Sequence, residues 1–167
     1  FYVQYANARI NSIFRNLKLN INKKINIEKE DFSLNDYEIN ILKKIAGAHS
    51  NILEVGCGQG IDAFVLCSEL SGSGRYVGVD YSDESVAIAR KTLKEVISEM
   101  NVQPTFKVGN AENLEFGDEG IECVYSIGVL HHTHDERKAI EEIYRVLAPG
   151  GKAYIWLYRK WSLKVGV

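Results

Sequence analysis

From Asn51 onward the chain alternates short apolar runs with longer stretches in which apolar residues recur every three or four positions. The runs Ile52–Val55, Tyr76–Val79, Thr105–Val108, Ile121–Ser126 and Ala153–Leu157 predict five strands. Helical periodicity falls near 60–70, 83–99 and 135–147, with a short turn or helix near 111–116. Ser82 is placed to cap the second of these helices, whose buried side is marked by Val86, Ala89, Leu93, Val96 and Met100. Thr133 and Glu136 form a capping box for the third, which carries Ala139, Ile140, Ile143 and Leu147. Further upstream, Ser33 and Asp36 open a helix with Leu34, Tyr37, Ile41, Leu42 and Ile45 on one face, and Gly47 is a stop signal. Strand and helix in this rhythm predict an α/β fold, a doubly wound parallel sheet covered on both faces.

Residues 1–30 break the pattern, being rich in Asn, Ile and Lys, with Ile10, Ile13, Phe14, Leu17 and Ile21 at helical spacing. Two readings fit: a helix whose stripe packs on the domain or covers its ligand, or a basic amphipathic helix that touches a membrane surface or a partner. The chain therefore divides into an N-terminal helical or lid segment, 1–32, and a core, 33–167. The region of Tyr2, Tyr5 and Asn7 is expected to close over a bound ligand.

Composition narrows the function classes. Apolar residues at 46% and charged residues at 25% are ordinary for a folded domain. A net charge of −2 argues against broad contact with a nucleic-acid backbone. The charge is uneven: residues 1–30 hold six basic and two acidic side chains, which leaves a balance of −6 in the remainder. Cys57, Cys67 and Cys123 are odd in number and lack CxxC spacing, as in a reduced, cytoplasmic protein. No apolar run reaches the length of a membrane span.

The chemistry concentrates where strands end. Glu54-Val55-Gly56-Cys57-Gly58-Gln59-Gly60 carries a buried strand into a glycine-rich turn and then a helix, so that a ligand can lie against bare backbone. Nucleotide-dependent oxidoreductases share such a turn. Glu54 argues against a pyrophosphate there and suits an ammonium group, reached directly or through water. Asp80 ends the second strand, where a carboxylate can accept both hydroxyls of a ribose, and Tyr81 beside it can lie along a purine. In Gly109-Asn110-Ala111-Glu112, the Asn110 side-chain carbonyl and the Ala111 N–H can read the amino edge of adenine. Cys123–His132 forms the fourth strand end and a loop over the crevice.

In this order, and followed by Arg145-Val146-Leu147-x-Pro149-Gly150-Gly151, the motifs resemble the class I S-adenosylmethionine (SAM)-dependent methyltransferases, within the branch that includes the ubiquinone and menaquinone biosynthesis enzymes. The resemblance covers residues 35–158 and implies a Rossmann-like, three-layer α/β/α fold with SAM as cofactor and S-adenosylhomocysteine as product. By position, Gly56, Cys57, Gly58 and Gly60 line its methionine part and Glu54 sits beside the amino group. Asp80 holds the ribose, Tyr81, Asn110, Ala111 and Glu112 surround the adenine, and Ser126 offers its carbonyl near the methionine end. Asn110 stands where the family usually has Asp, and Glu122 replaces a usual Asp, a change expected to be harmless. The family sheet finishes with an antiparallel hairpin for which no sequence follows, so the core is read as C-terminally truncated.

The implied reaction is an in-line methyl transfer. Residues 126–129 read Ser-Ile-Gly-Val rather than the signature of DNA and amide N-methyltransferases, which points to a small-molecule acceptor, and the branch resemblance implies an oxygen or carbon atom on it. His131, His132 and His134, with Asp135, admit a general base, a metal site or a purely structural role; His132 is the candidate base and no metal is expected. A non-catalytic SAM-binding module and an NAD-binding oxidoreductase are the alternatives.

Overall fold

In the computed structural model, which describes residues 36–157, five strands form one parallel sheet in the order β3-β2-β1-β4-β5. The elements run α1 (Asp36–Ala48), β1 (Asn51–Val55), α2 (Ile61–Glu69), β2 (Arg75–Asp80), α3 (Asp83–Lys94), β3 (Thr105–Val108), β4 (Ile121–Ile127), α4 (Glu136–Val146) and β5 (Leu147–Trp156). The order steps outward from β1 to β3 and then restarts on the other side with β4, so the crevice of the fold opens beyond the carboxyl ends of β1 and β4.

Alternating strand residues feed two cores. Ile52, Tyr76, Phe106, Cys123 and Tyr125 pack under α1, α2 and α3, through Leu42, Ile45, Phe64, Leu66, Val86 and Ala89 among others. Leu53, Val55, Val77, Val79 and Val124 pack against Ala139, Ile143 and Val146 of α4 and against Ala111 and Leu114 of the β3–β4 connection. This is the three-layer arrangement expected. Among the described residues no helix is long and apolar enough to cross a membrane. Ser33 and the helical stripe of residues 10–21 lie outside the described residues, as do the segment 1–32 and its Tyr2, Tyr5 and Asn7.

Several local details differ from the sequence pattern. The helix from Ser82 is capped as expected, its hydroxyl accepting from Ser85 N–H. It stops at Lys94 rather than running to 99, and the chain turns through a 3₁₀ segment, Ile97–Glu99. The break lets Val96 and Val102 both be buried, while the N–H groups of Asn101 and Val102 close on the Cys67 carbonyl at the end of α2. The cap of α4 is Asp135, which accepts from Lys138 N–H, and Thr133 instead donates to the Leu130 carbonyl at 2.6 Å. Gly47 lies within α1, which continues to Ala48. No helix forms at 111–116; Asn110 and Asn113 pair in a tight turn.

Glu122 does more than replace an Asp. Its Oε2 accepts from Ser50 N–H at 2.9 Å, Ser50 Oγ at 2.8 Å and Asn51 N–H at 3.2 Å, stapling the α1–β1 connection to the start of β4. These bonds hold its carboxyl below the usual carboxylate range. A depressed folded-state pKa means the contribution is present above the unfolded value and is lost as pH falls through the folded one. Glu122→Gln is therefore expected to be less stable than the wild type at pH 7, with the gap closing as urea midpoints are followed below pH 4.

Candidate functional site

The glycine turn is built by backbone hydrogen bonds to its neighbour. Gly56 N–H and Cys57 N–H both donate to the Val79 carbonyl, at 2.7 and 3.0 Å, so the end of β1 is clasped to the end of β2. Asp80 completes the clasp: one carboxylate oxygen accepts from Gly58 N–H at 2.8 Å and the other from Ser82 N–H at 2.9 Å. Each oxygen keeps a lone pair for a further donor. Gly56, Gly58 and Gly60 all have left-handed backbone, with φ of 84°, 51° and 80°. Their missing side chains serve different ends. A Cβ on Gly56 would sit 2.2 Å from Val129 Cγ2, whereas one on Gly58 would meet nothing within 4 Å. Gly56 lets the β4 loop close on the turn, and Gly58 presents bare backbone to open space.

The layer beneath the turn is polar and sealed. Glu54 is 4% exposed and lies on the α2 side of the sheet, where its Oε2 accepts from the Tyr76 hydroxyl. Burial, and then the Glu54 charge, push the Tyr76 hydroxyl well above its ordinary range. Tyr125, beside Glu54 in register, donates to Asp62 Oδ2 at 3.0 Å. Glu54 thus sits under the turn and not on its open side. Cys57 is likewise turned inward, against the bare Gly78, and burial followed by the charges of Glu54 and Asp80 raises its thiol far out of the reactive range.

Ser126 is fully buried and donates to the Val55 carbonyl at 2.9 Å, joining the carboxyl ends of β1 and β4. Tyr81 stands 82% exposed beside Asp80, and Ala111 is almost covered. Asn110 Oδ1 accepts from Glu112 N–H at 2.9 Å, closing the local turn. Glu112 Oε1 accepts from His134 N–H and Asp135 N–H, at 2.7 and 3.0 Å, and ties the β3–β4 connection to the start of α4.

Arg145 holds the same connection from the other end, and the strand-and-turn pattern gave it no role. It donates to the carbonyls of Leu114 and Phe116, at 2.8 and 2.9 Å, and to Asp118 and Glu142. The only signal was its place in the Arg-Val-Leu-x-Pro-Gly-Gly run. Arg145→Met is expected to cost about 2 kcal/mol in urea unfolding, since it leaves two carbonyls and two carboxylates without their charged donor.

In the β4 loop, Leu130–His132 forms a 3₁₀ turn, closed by His132 N–H on the Val129 carbonyl at 2.8 Å. The His131 and His132 rings lie 4.0 Å apart. Burial, then the neighbouring His132, lower the His131 pKa, so His131 is neutral at pH 7. His132 is exposed. Among the described residues no group of three or more His, Cys, Asp or Glu could hold a metal ion. The structure thus gathers the glycine turn, Asp80, Tyr81, Ser126 and the Val129–His132 turn at one end of the sheet.

A profile of the family described as "Methyltransferase domain" matches residues 53–155. The chain is 38% identical over 103 residues to demethylmenaquinone methyltransferase of Lactococcus lactis, covering 61% of this chain and 39% of that protein. It is 32% identical over 104 residues to arsenite methyltransferase of Halobacterium salinarum, covering 62% of this chain and 26% of the relative. Among solved structures, an arsenic(III) S-adenosylmethionine methyltransferase from Chlamydomonas reinhardtii aligns with a TM-score of 0.61 at 28% identity, over 66% of this chain and 39% of that one. The chain spans between about a quarter and two fifths of the length of these curated relatives.

Proposed function

We propose that this chain, which belongs to the class I SAM-dependent methyltransferase family, is the cofactor-binding core of an enzyme that transfers a methyl group to a small-molecule oxygen or carbon acceptor by in-line displacement. The observation that carries the reading is the clasp of the open Gly58 backbone to Asp80, next to the exposed Tyr81. A nucleoside with an amino-acid tail fits that arrangement. Asp80 has free lone pairs for the ribose hydroxyls, the Tyr81 ring is uncovered for the adenine, and bare backbone leads toward Ser126 for the methionine part. Bound there, SAM would supply the electrophilic methyl on its sulfonium. The protein's share is to hold donor and acceptor in line and to keep water out, which requires no triad.

The acceptor would enter beside the Val129–His132 turn, with His132 as general base where the acceptor must lose a proton. Relatives named for arsenite and for a quinone precursor pull in different directions. All three cysteines of this chain are buried, with Cys123 raised to about 12 by burial first, so no thiolate is offered to a thiophilic metalloid. That favours an organic acceptor, as does the absence of a basic excess over nucleic acid. Residues 1–32 are assigned as a lid on the ligand, the alternative being contact with a membrane surface.

The test is calorimetric titration with SAM and S-adenosylhomocysteine, followed by methyl transfer from labelled SAM to hydroxylated aromatic and quinol acceptors. Micromolar binding of both ligands with transfer to such an acceptor supports the reading; binding without transfer to any acceptor favours a non-catalytic module. His132→Gln is expected to lower kcat at least tenfold with little change in cofactor affinity. An unchanged kcat would remove His132 from the mechanism.

A further inference from the structure

The sealed layer beneath the glycine turn has more acceptors than donors. Asp62 and Gln59 are 7% and 5% exposed, and both belong to the entry into α2. Asp62 Oδ2 is used by the Tyr125 hydroxyl, but Asp62 Oδ1 has no hydrogen-bond partner, and neither does Gln59 Oε1. Both atoms are closed off from solvent. Buried acceptors left unpaired are rare and costly, because each has given up water and gained nothing. Two of them, three positions apart across one helix start, call for a group that only donates.

We propose that Asp62, assisted by Gln59, is the specificity-determining residue for the amino-acid end of the cofactor and receives its primary ammonium. The inference rests on the cofactor reading above and goes beyond it by moving this contact from Glu54 to Asp62. An ammonium carries three N–H donors and no acceptor, which matches a carboxylate oxygen and an amide oxygen with nothing to donate. A carboxylate in its place would bring lone pairs against lone pairs, and a hydroxyl has only one donor for the two acceptors. Glu54 is less suited, since its Oε2 is held by the Tyr76 hydroxyl. Tyr125 has a positioning role: its hydroxyl fixes one oxygen of Asp62 and leaves the other for the ligand.

Three ligands separate the contacts: S-adenosylhomocysteine, decarboxylated S-adenosylmethionine, which keeps the ammonium but lacks the carboxylate, and 5′-methylthioadenosine, which lacks the whole amino-acid tail. Asp62→Asn keeps an acceptor for Tyr125, and Gln59→Met keeps the volume. By calorimetry, Asp62→Asn is expected to lose at least tenfold in affinity for the first two ligands and less than twofold for 5′-methylthioadenosine. Gln59→Met should follow the same pattern at about threefold. Retained affinity for all three ligands in Asp62→Asn, or an equal loss for all three, overturns the inference and leaves the cofactor reading standing. If the wild type binds none of them while unfolding cooperatively, the cofactor reading falls and this inference falls with it.

Discussion

Gly56→Val is expected to leave a protein with no measurable affinity for S-adenosylhomocysteine and a stability roughly 2–5 kcal/mol below the wild type in urea. Two costs combine. A β-branched residue forced to the φ of 84° found here pays roughly 1–2 kcal/mol for left-handed backbone. Its Cβ would also stand 2.2, 2.4 and 2.7 Å from three atoms of Val129, so the β4 loop has to withdraw from the turn. Overpacking of that kind typically adds 1–3 kcal/mol. Gly58→Ala supplies the contrast. At a φ of 51° with nothing within 4 Å of the new Cβ, it should lose only about 1 kcal/mol of stability. Its cofactor affinity should nevertheless fall tenfold or more, because the new methyl occupies the open side assigned to the ligand. Equal binding by wild type and Gly58→Ala would show that the ligand does not lie there.

Asp80→Ala should weaken cofactor binding about a hundredfold, which corresponds to roughly 2.7 kcal/mol. The carboxylate has two jobs that a single substitution removes. It accepts from Gly58 N–H and Ser82 N–H, so the turn and the start of α3 lose their common anchor. It also provides the lone pairs assigned to the ribose. Asp80→Asn should fall between the two, since one of its terminal atoms becomes a donor that faces a backbone N–H. Titration with adenosine separates the jobs: an affinity loss for adenosine close to that for S-adenosylhomocysteine places the effect on the nucleoside. A change below threefold for both ligands would remove Asp80 from the site.

The layers and strand order were legible because they rest on periodicity: buried β1 and β2 read as continuous apolar runs, and Val86, Ala89 and Leu93 return at helical spacing to face the sheet. What the pattern could not supply was competition between local partners. Thr133 and Asp135 are both chemically fit to cap α4, and the choice fell to Asp135 because Thr133 closes the preceding 3₁₀ turn on Leu130. Glu112 and Asn110 have the polarity of ligand contacts, yet a carboxylate placed beside two free helix-start N–H groups is drawn to them, and an Asn at a turn is drawn to its own backbone. Asp62 was missed for the opposite reason. On a helix that reads as wholly buried, a single acidic residue gives no periodic signal, and only its pairing with Tyr125, 63 positions later, shows what it is for.

Val129 resting on Gly56 also bears on how this scaffold can change its chemistry over time. The two residues come from different strand ends, one on the side assigned to the cofactor and one on the side assigned to the acceptor. A larger residue at 129 would push into the turn and a smaller one would leave it loose, so drift at that position is penalised whatever acceptor is favoured. Novelty is cheaper further along the loop. The His132 side chain is exposed and can vary without disturbing the turn, whereas Gly128, at a φ of 70°, would be strained by any side chain despite the open space around it. A library randomised at 132 should therefore retain cofactor binding far more often than one randomised at 129, the position that doubles as the wall of the cofactor site.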